Sequence, residues 1–238
     1  MNEAYSKLDA DKVIHTLVKL HKRITDRFAG SGLSKVCGAL IILAKQTSQQ
    51  AERIAKPNLF IRFAVVTFLM LGCAALVYSF KLIHLETQQA EVFDFVQGLE
   101  AAMNVVVLIG ALTYFLVTFE ERYKRRRVLG YLDELRSVVH VIDMHQLTKD
   151  PSAILSGVIR TKNSPKREMS EGELIRYLDY CSEMLSITSK LAALYTQNTQ
   201  DPAVVRAVND IERLTTNLSR KIWQKIVIVQ SNSGPKVM

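Results

Sequence analysis

Residues 63–80 read FAVVTFLMLGCAALVYSF and residues 101–119 read AAMNVVVLIGALTYFLVTF, eighteen and nineteen positions without a charged side chain. A helix rises about 1.5 Å per residue, so roughly 20 apolar residues cross the ~30 Å hydrocarbon core of a bilayer. Each run extends into flanks that reach the interface. Arg62, at the edge of the first, can carry its guanidinium to the headgroups along an apolar stem. Buried helices of a soluble core are the competing reading, but two runs with so little polar interruption point to two membrane spans, at about 60–83 and 101–120.

The flanking charges orient these spans. Residues 81–100 carry one Lys and four acids, Glu86, Glu91, Asp94 and Glu100, whereas EERYKRRR after the second run holds Arg122, Lys124, Arg125, Arg126 and Arg127. Arg53, Lys56 and Arg62 precede the first run. Cations mark the cytoplasmic side, so both termini are expected there, with connector 84–100 outside. The basic cluster suits anionic headgroups, at about 1 kcal/mol per cation near the surface. The start, Met-Asn-Glu-Ala, has no early apolar core and reads as lacking a cleavable signal peptide.

Inside the two uncharged runs polar groups are few, Asn104, Thr67, Thr113 and Thr118 among them, and neither run holds an Asp, Glu or Lys. That argues against a proton relay or an ion-coupled transporter. Asn104 is expected to face protein, because an intramembrane amide bonds a neighbouring helix; lining a pore is its other use. Two helices cannot enclose a substrate path, so conduction would need an oligomer.

The remaining sequence reads as helix, and the scarcity of Gly (10) and Pro (5) fits an all-α chain. Val13, Leu17, Leu20, Ile24 and Phe28 recur at helical spacing behind a cap at Asp9 or Asp11, and Gly30-Ser31-Gly32 breaks the chain. A second helix, from about residue 33 to 55, contains VCGALIILA, too short to span: a core helix, which is favoured, or an interfacial one. Pro57 ends it. Beyond the second span the helix is expected to continue, with Val128, Leu132, Leu135, Val139, Ile142 and Met144 forming a stripe down to Leu147 before Asp150-Pro151. Residues 151–169 read as a linker. Ser170 and Glu173 form a capping box for a helix carrying Leu174, Leu178, Cys181, Leu185, Ala192 and Tyr195. Asp201 caps and Pro202 starts the last helix, with Val204, Val208, Ile211, Leu218, Ile222 and Ile226 on its stripe. The short turn between these two makes them antiparallel, in a bundle completed by the N-terminal arm or by another subunit. The end of the last helix, SRKIWQKIVIV, has Arg220, Lys221 and Lys225 among Ile222, Trp223 and Val227: an ordinary solvated basic face, or a surface that lies on an anionic membrane.

The densest run of reactive residue types is RSVVHVIDMHQLTKD at 136–150. His140 and Asp143 share a helix face, while His145 lies about 140° from His140. Such a pair is a thin basis for a metal site, and a polar network of Arg136, His140, Asp143 and His145 that ties this helix to its neighbours is the favoured reading. Arg136 and His140 are too close for the arginine-histidine motif of HEPN-type ribonucleases. Phosphate loop, nucleophile elbow, HExxH, CxxC and EF-hand patterns are missing. Cys37, Cys73 and Cys181 are scattered and read as small buried thiols. Much of the net charge of +8 flanks the spans, so topology accounts for it without a nucleic-acid ligand. No cofactor, metal or small-molecule substrate is expected.

Three segments result: a helical arm at 1–57, a two-span hairpin at 58–120 and a helical domain at 121–238. This layout resembles the two-transmembrane effectors of bacterial anti-phage systems, including those partnered with retrons. The residues behind the likeness are the paired spans and the helical mass at 121–230. The resemblance implies an inner-membrane protein that oligomerises, answers to a cytosolic protein or ribonucleoprotein regulator, and damages the bilayer when released. A scaffold or tether that recruits a cytosolic partner through residues 121–230, and a membrane-bound metal enzyme using His140 and Asp143, are the alternatives.

Overall fold

In a computed structural model, residues 7–55, 59–85, 92–149, 151, 169–197 and 199–233 are described. They form six helices: α1 (Ala10–Arg27), α2 (Gly32–Ala55), α3 (Leu59–Leu85), α4 (Val92–Leu147), α5 (Glu171–Thr196) and α6 (Pro202–Ser233). The protein is all-α, with no strand among the described residues. Pro57, Asp150, Asn198 and most of linker 151–169 lie outside them, as do Glu86 and Glu91.

The helix ends follow local chemistry. Asp9 caps α1, accepting from the Asp11 and Lys12 amides. Gly30 takes φ +70°, a left-handed turn that glycine adopts without a Cβ penalty. Ser170 and Glu173 make the reciprocal capping box of α5. Asp201 accepts from the Ala203 amide at 2.9 Å and so starts α6 at Pro202. The helices at the apolar runs are longer than the runs. α3 reaches Leu85 and α4 begins at Val92, so most of the expected connector 84–100 is helical. A charge ends an apolar run but does not end a helix, since Asp and Glu cost only a few tenths of a kcal/mol there.

The chain divides into two units, residues 1–55 with 127–238, and residues 56–126. In the first, α5 is central: half of its 26 residues are buried, over an arc much wider than a surface helix shows. Lys149 Nζ lies 5.4 Å from the Tyr177 ring centroid and Tyr131 stacks on Tyr195 at 6.3 Å, so this part of α4 runs antiparallel to α5. Leu8 with Gln197, Arg23 with Glu183 and Phe28 with Tyr177 set α1 antiparallel to α5 as well. α6 is antiparallel to α5 and parallel to α4, because Arg136 meets Asp210 and Gln146 meets Lys225. The N-terminal helices therefore share one core with the C-terminal ones: Leu17, Leu20, Leu40, Leu135, Leu185 and Ile222 are all fully buried in it. α2 contributes Cys37, Leu40, Leu43 and Ala44 and leaves Ile42 outside, a core helix with one solvated face.

In the second unit α3 touches α4 where Gly72 meets Ile109; a Cβ at Gly72 would overlap the Ile109 side chain. Ala102, Val105, Ile109, Leu112 and Leu116 recur at three or four residues and are half-buried, the face of α4 turned to α3.

Candidate functional site

The second unit is apolar on the outside. Phe63, Met70, Leu71, Val77 and Tyr78 of α3 are exposed, as are Met103, Val107, Leu108, Tyr114 and Phe115 of α4. One helix among the described residues, within Val96–Leu147, is long and apolar enough to cross a membrane, and none of that apolar stretch is buried. The described apolar stretch of α3, Arg62–Ala75, is shorter. A soluble protein seldom shows contiguous apolar patches beyond a few hundred Å². A surface of this composition is stable against lipid, where each side chain keeps dispersion partners and α-helices satisfy their own backbone.

The two ends of α4's apolar stretch differ. Glu100 lies before it. After it come Arg122, Lys124, Arg125, Arg126 and Arg127, five cations in six positions, which at 100° per residue must encircle the helix. Lys124 pairs with Glu120 at 2.7 Å, one turn back. Exposed Tyr123 lies within this ring, and the stacked Phe115–Phe119 pair (6.2 Å) precedes it.

Asn104 is exposed on α4, on the side away from Ile109. The described residues of this chain therefore leave uncovered the amide that was expected to face protein. Thr113 and Thr118 are half-buried and Thr67 is exposed.

The 136–150 segment does not assemble into one site. Arg136 Nη2 lies 3.8 Å from Asp210 Oδ2 on α6. His140 is exposed. Asp143 Oδ1 accepts from Gln146 Nε2 at 2.6 Å. His145 is on the other flank, its ring packed on Gly32 at the start of α2, where a Cβ would overlap the imidazole. Among the described residues no group of three His, Cys, Asp or Glu side chains is placed to hold a metal ion.

The contact that sequence reading missed is Gln146. The stripe 128, 132, 135, 139, 142 continues in register to 146, not to Met144 or Leu147, which are 67% and 60% exposed. Gln146 is buried, and its Oε1 and main-chain carbonyl accept from Lys225 Nζ at 2.7 and 3.0 Å. A polar residue at a stripe position was the available signal: it asks for a partner, and the half-buried Lys225 supplies one. Trp223 and Val227 stay exposed on α6, on either side of Lys225 in the sequence.

Burial explains the titrating groups. It pushes the Cys37 and Cys181 thiols each up to about 12 and raises Tyr177 and Tyr195, so these groups are inert, not nucleophilic. Cys73 is exposed, against the expectation of a buried thiol. An open groove of about 590 Å³ between the start of α1 and the middle of α5 sets Lys7, Lys12 and Lys190 against Asp9, Asp179 and Glu183. Glu183 is engaged by Arg23 and Asp179 by Arg176, so the groove presents no strong single charge.

Compared with known proteins, the chain matches no family model, no curated protein and no solved structure.

Proposed function

We propose that this is a two-span membrane protein whose helical unit, residues 1–55 and 127–238, controls the state of the spans, acting as a membrane-perturbing effector of the anti-phage type. The observation that carries this reading is the exposed apolar surface of α3 and α4, which water would not tolerate and lipid would.

Connectivity supports a hairpin. Leu85 is 13 residues beyond Gly72, and Val92 is 17 before Ile109 (85 − 72 and 109 − 92). Were the helices parallel, those ends would be about 45 Å apart at 1.5 Å per residue. The seven steps from 85 to 92 reach about 25 Å at most, so an antiparallel pair is the one that fits. The five cations at 122–127 and the basic approach to α3 favour both termini on the cytoplasmic side of a bacterial inner membrane.

α4 contributes residues to both units as one helix, so rearrangement around its C-terminal half is available as a signal to the span. Without an acid or Lys in either uncharged run, the spans offer no ion relay, and damage to the bilayer through assembled hairpins is what the resemblance to anti-phage effectors implies. A regulator, protein or ribonucleoprotein, would hold the helical unit until a trigger releases it.

Induced expression in a bacterial host with a membrane-potential dye tests this reading. Depolarisation on triggering is expected, and normal potential at high membrane levels of the protein would sink it. A tether is the second reading, favoured by the exposed Trp223–Val227 patch. It predicts capture of a cytosolic partner by the full-length protein, lost in Trp223→Ala, without depolarisation.

A further inference from the structure

We infer that α4 is also the self-association helix: its outward face binds the same face of a second copy in the bilayer, with Asn104 pairing to Asn104. This deepens the proposed function and rests on its membrane placement.

The face is built by spacing. Gln97, Ala101, Asn104, Leu108, Ala111 and Phe115 follow one another at steps of four, three, four, three and four, the heptad interval of two helices in register. All six are exposed, on a flank of α4 about 100° around the helix from the half-buried residues that meet α3. The helix therefore has two seams, and the described residues of one chain fill only one of them.

The occupant follows from chemistry. Copies inserted by the same charge rule point the same way, so their α4 helices meet parallel and each position faces itself. A carboxylate or an ammonium at position 104 would then repel its copy. A carboxamide does not, because it carries both N–H donors and a carbonyl acceptor and is complementary to itself. In hydrocarbon an unpaired amide is costly, while an amide paired across helices holds them together. Ala101 and Ala111, flanking it, let the backbones come close. A single polar layer in a seam of apolar layers also sets the register.

The test uses full-length protein labelled with donor or acceptor dye in phospholipid vesicles, reading energy transfer against protein-to-lipid ratio. Asn104→Leu is expected to weaken self-association about tenfold, and Asn104→Gln by no more than about threefold. The double variant Asn104→Leu with Ala111→Asn, which moves the amide one heptad along the seam, should restore it. Asn104→Leu with Val106→Asn, which moves the amide off the seam, should not. Wild-type self-association in Asn104→Leu, or equal rescue from positions 106 and 111, would overturn the inference. Dye release from the same vesicles is read separately: self-association without release counts against the effector reading alone, and release unaffected by Asn104→Leu counts against the seam alone.

Discussion

Leu108 and Leu135 sit on one helix, yet the first is 67% exposed and the second fully buried. Around Leu135 the apolar residues form a single stripe with Asp133, Glu134 and Ser137 on the solvent side. Around Leu108 they go all the way round. The stripe needs partner helices in water; the all-round surface needs only a medium that does not penalise it. The two halves of α4 are thus built by the same propensities and separated by what surrounds them.

That contrast can be broken at its strongest point. Leu178→Ala, in the buried centre of α5, should cost roughly 2–5 kcal/mol in denaturant unfolding of the full chain in detergent. Val107→Ala, 67% exposed and off the proposed seam, should stay within about 0.5 kcal/mol, having no cavity to leave. Equal losses would mean that both regions are protein cores. The reverse experiment places a charge. Val107→Arg should impair insertion by about 3 kcal/mol, seen as loss from the membrane fraction, while Asp133→Lys on the solvated part of the same helix should fractionate normally.

A polar contact and a steric one sharpen each side in turn. Gln146→Leu strips the Lys225 ammonium of its side-chain acceptor, leaving it the main-chain carbonyl, and should destabilise by roughly 1–3 kcal/mol. Adding Lys225→Met should recover much of that loss, and additive losses would show that the pair is not coupled. In the other unit, Gly72→Val forces a side chain into Ile109, at roughly 1–3 kcal/mol, and Ile109→Ala should relieve it. Helix pairing followed by thermal scans in detergent reads both.

The smallest effect is at the start of α5. Ser170→Ala should cost about 1 kcal/mol by removing the cap. The Ser170 amide, then its hydroxyl, holds Glu173 below its ordinary value. A depressed folded-state value stabilises above the unfolded one and is lost as pH falls through the folded one. Acid melting of Glu173→Gln should therefore be less pH-dependent through and below the ordinary carboxylate range, and an unchanged profile would discount the capping box.

Much of the helical unit was legible because its stripes repeat at helical spacing. Leu174, Leu178, Cys181, Leu185, Val204, Val208, Ile211 and Ile222 are buried where periodicity puts them. The stripe of α4 went astray at Met144 and Leu147, since counting apolar residues passes over a buried Gln that has found a Lys on another helix. The partners of the polar residues at 136–150 were not legible for a related reason: Arg136 meets Asp210 of α6, Asp143 meets Gln146 and His145 packs on Gly32 of α2.

By itself the sequence determined the helices, their caps and the all-round apolarity of two runs, because these depend on neighbours within a few turns. Only the tertiary structure decided that the N-terminal arm shares the core of α5, that Gly72 meets Ile109 and that the described residues leave Asn104 exposed. Each of those is a relation between distant segments, set by which surfaces remain to be buried once the local helices have formed.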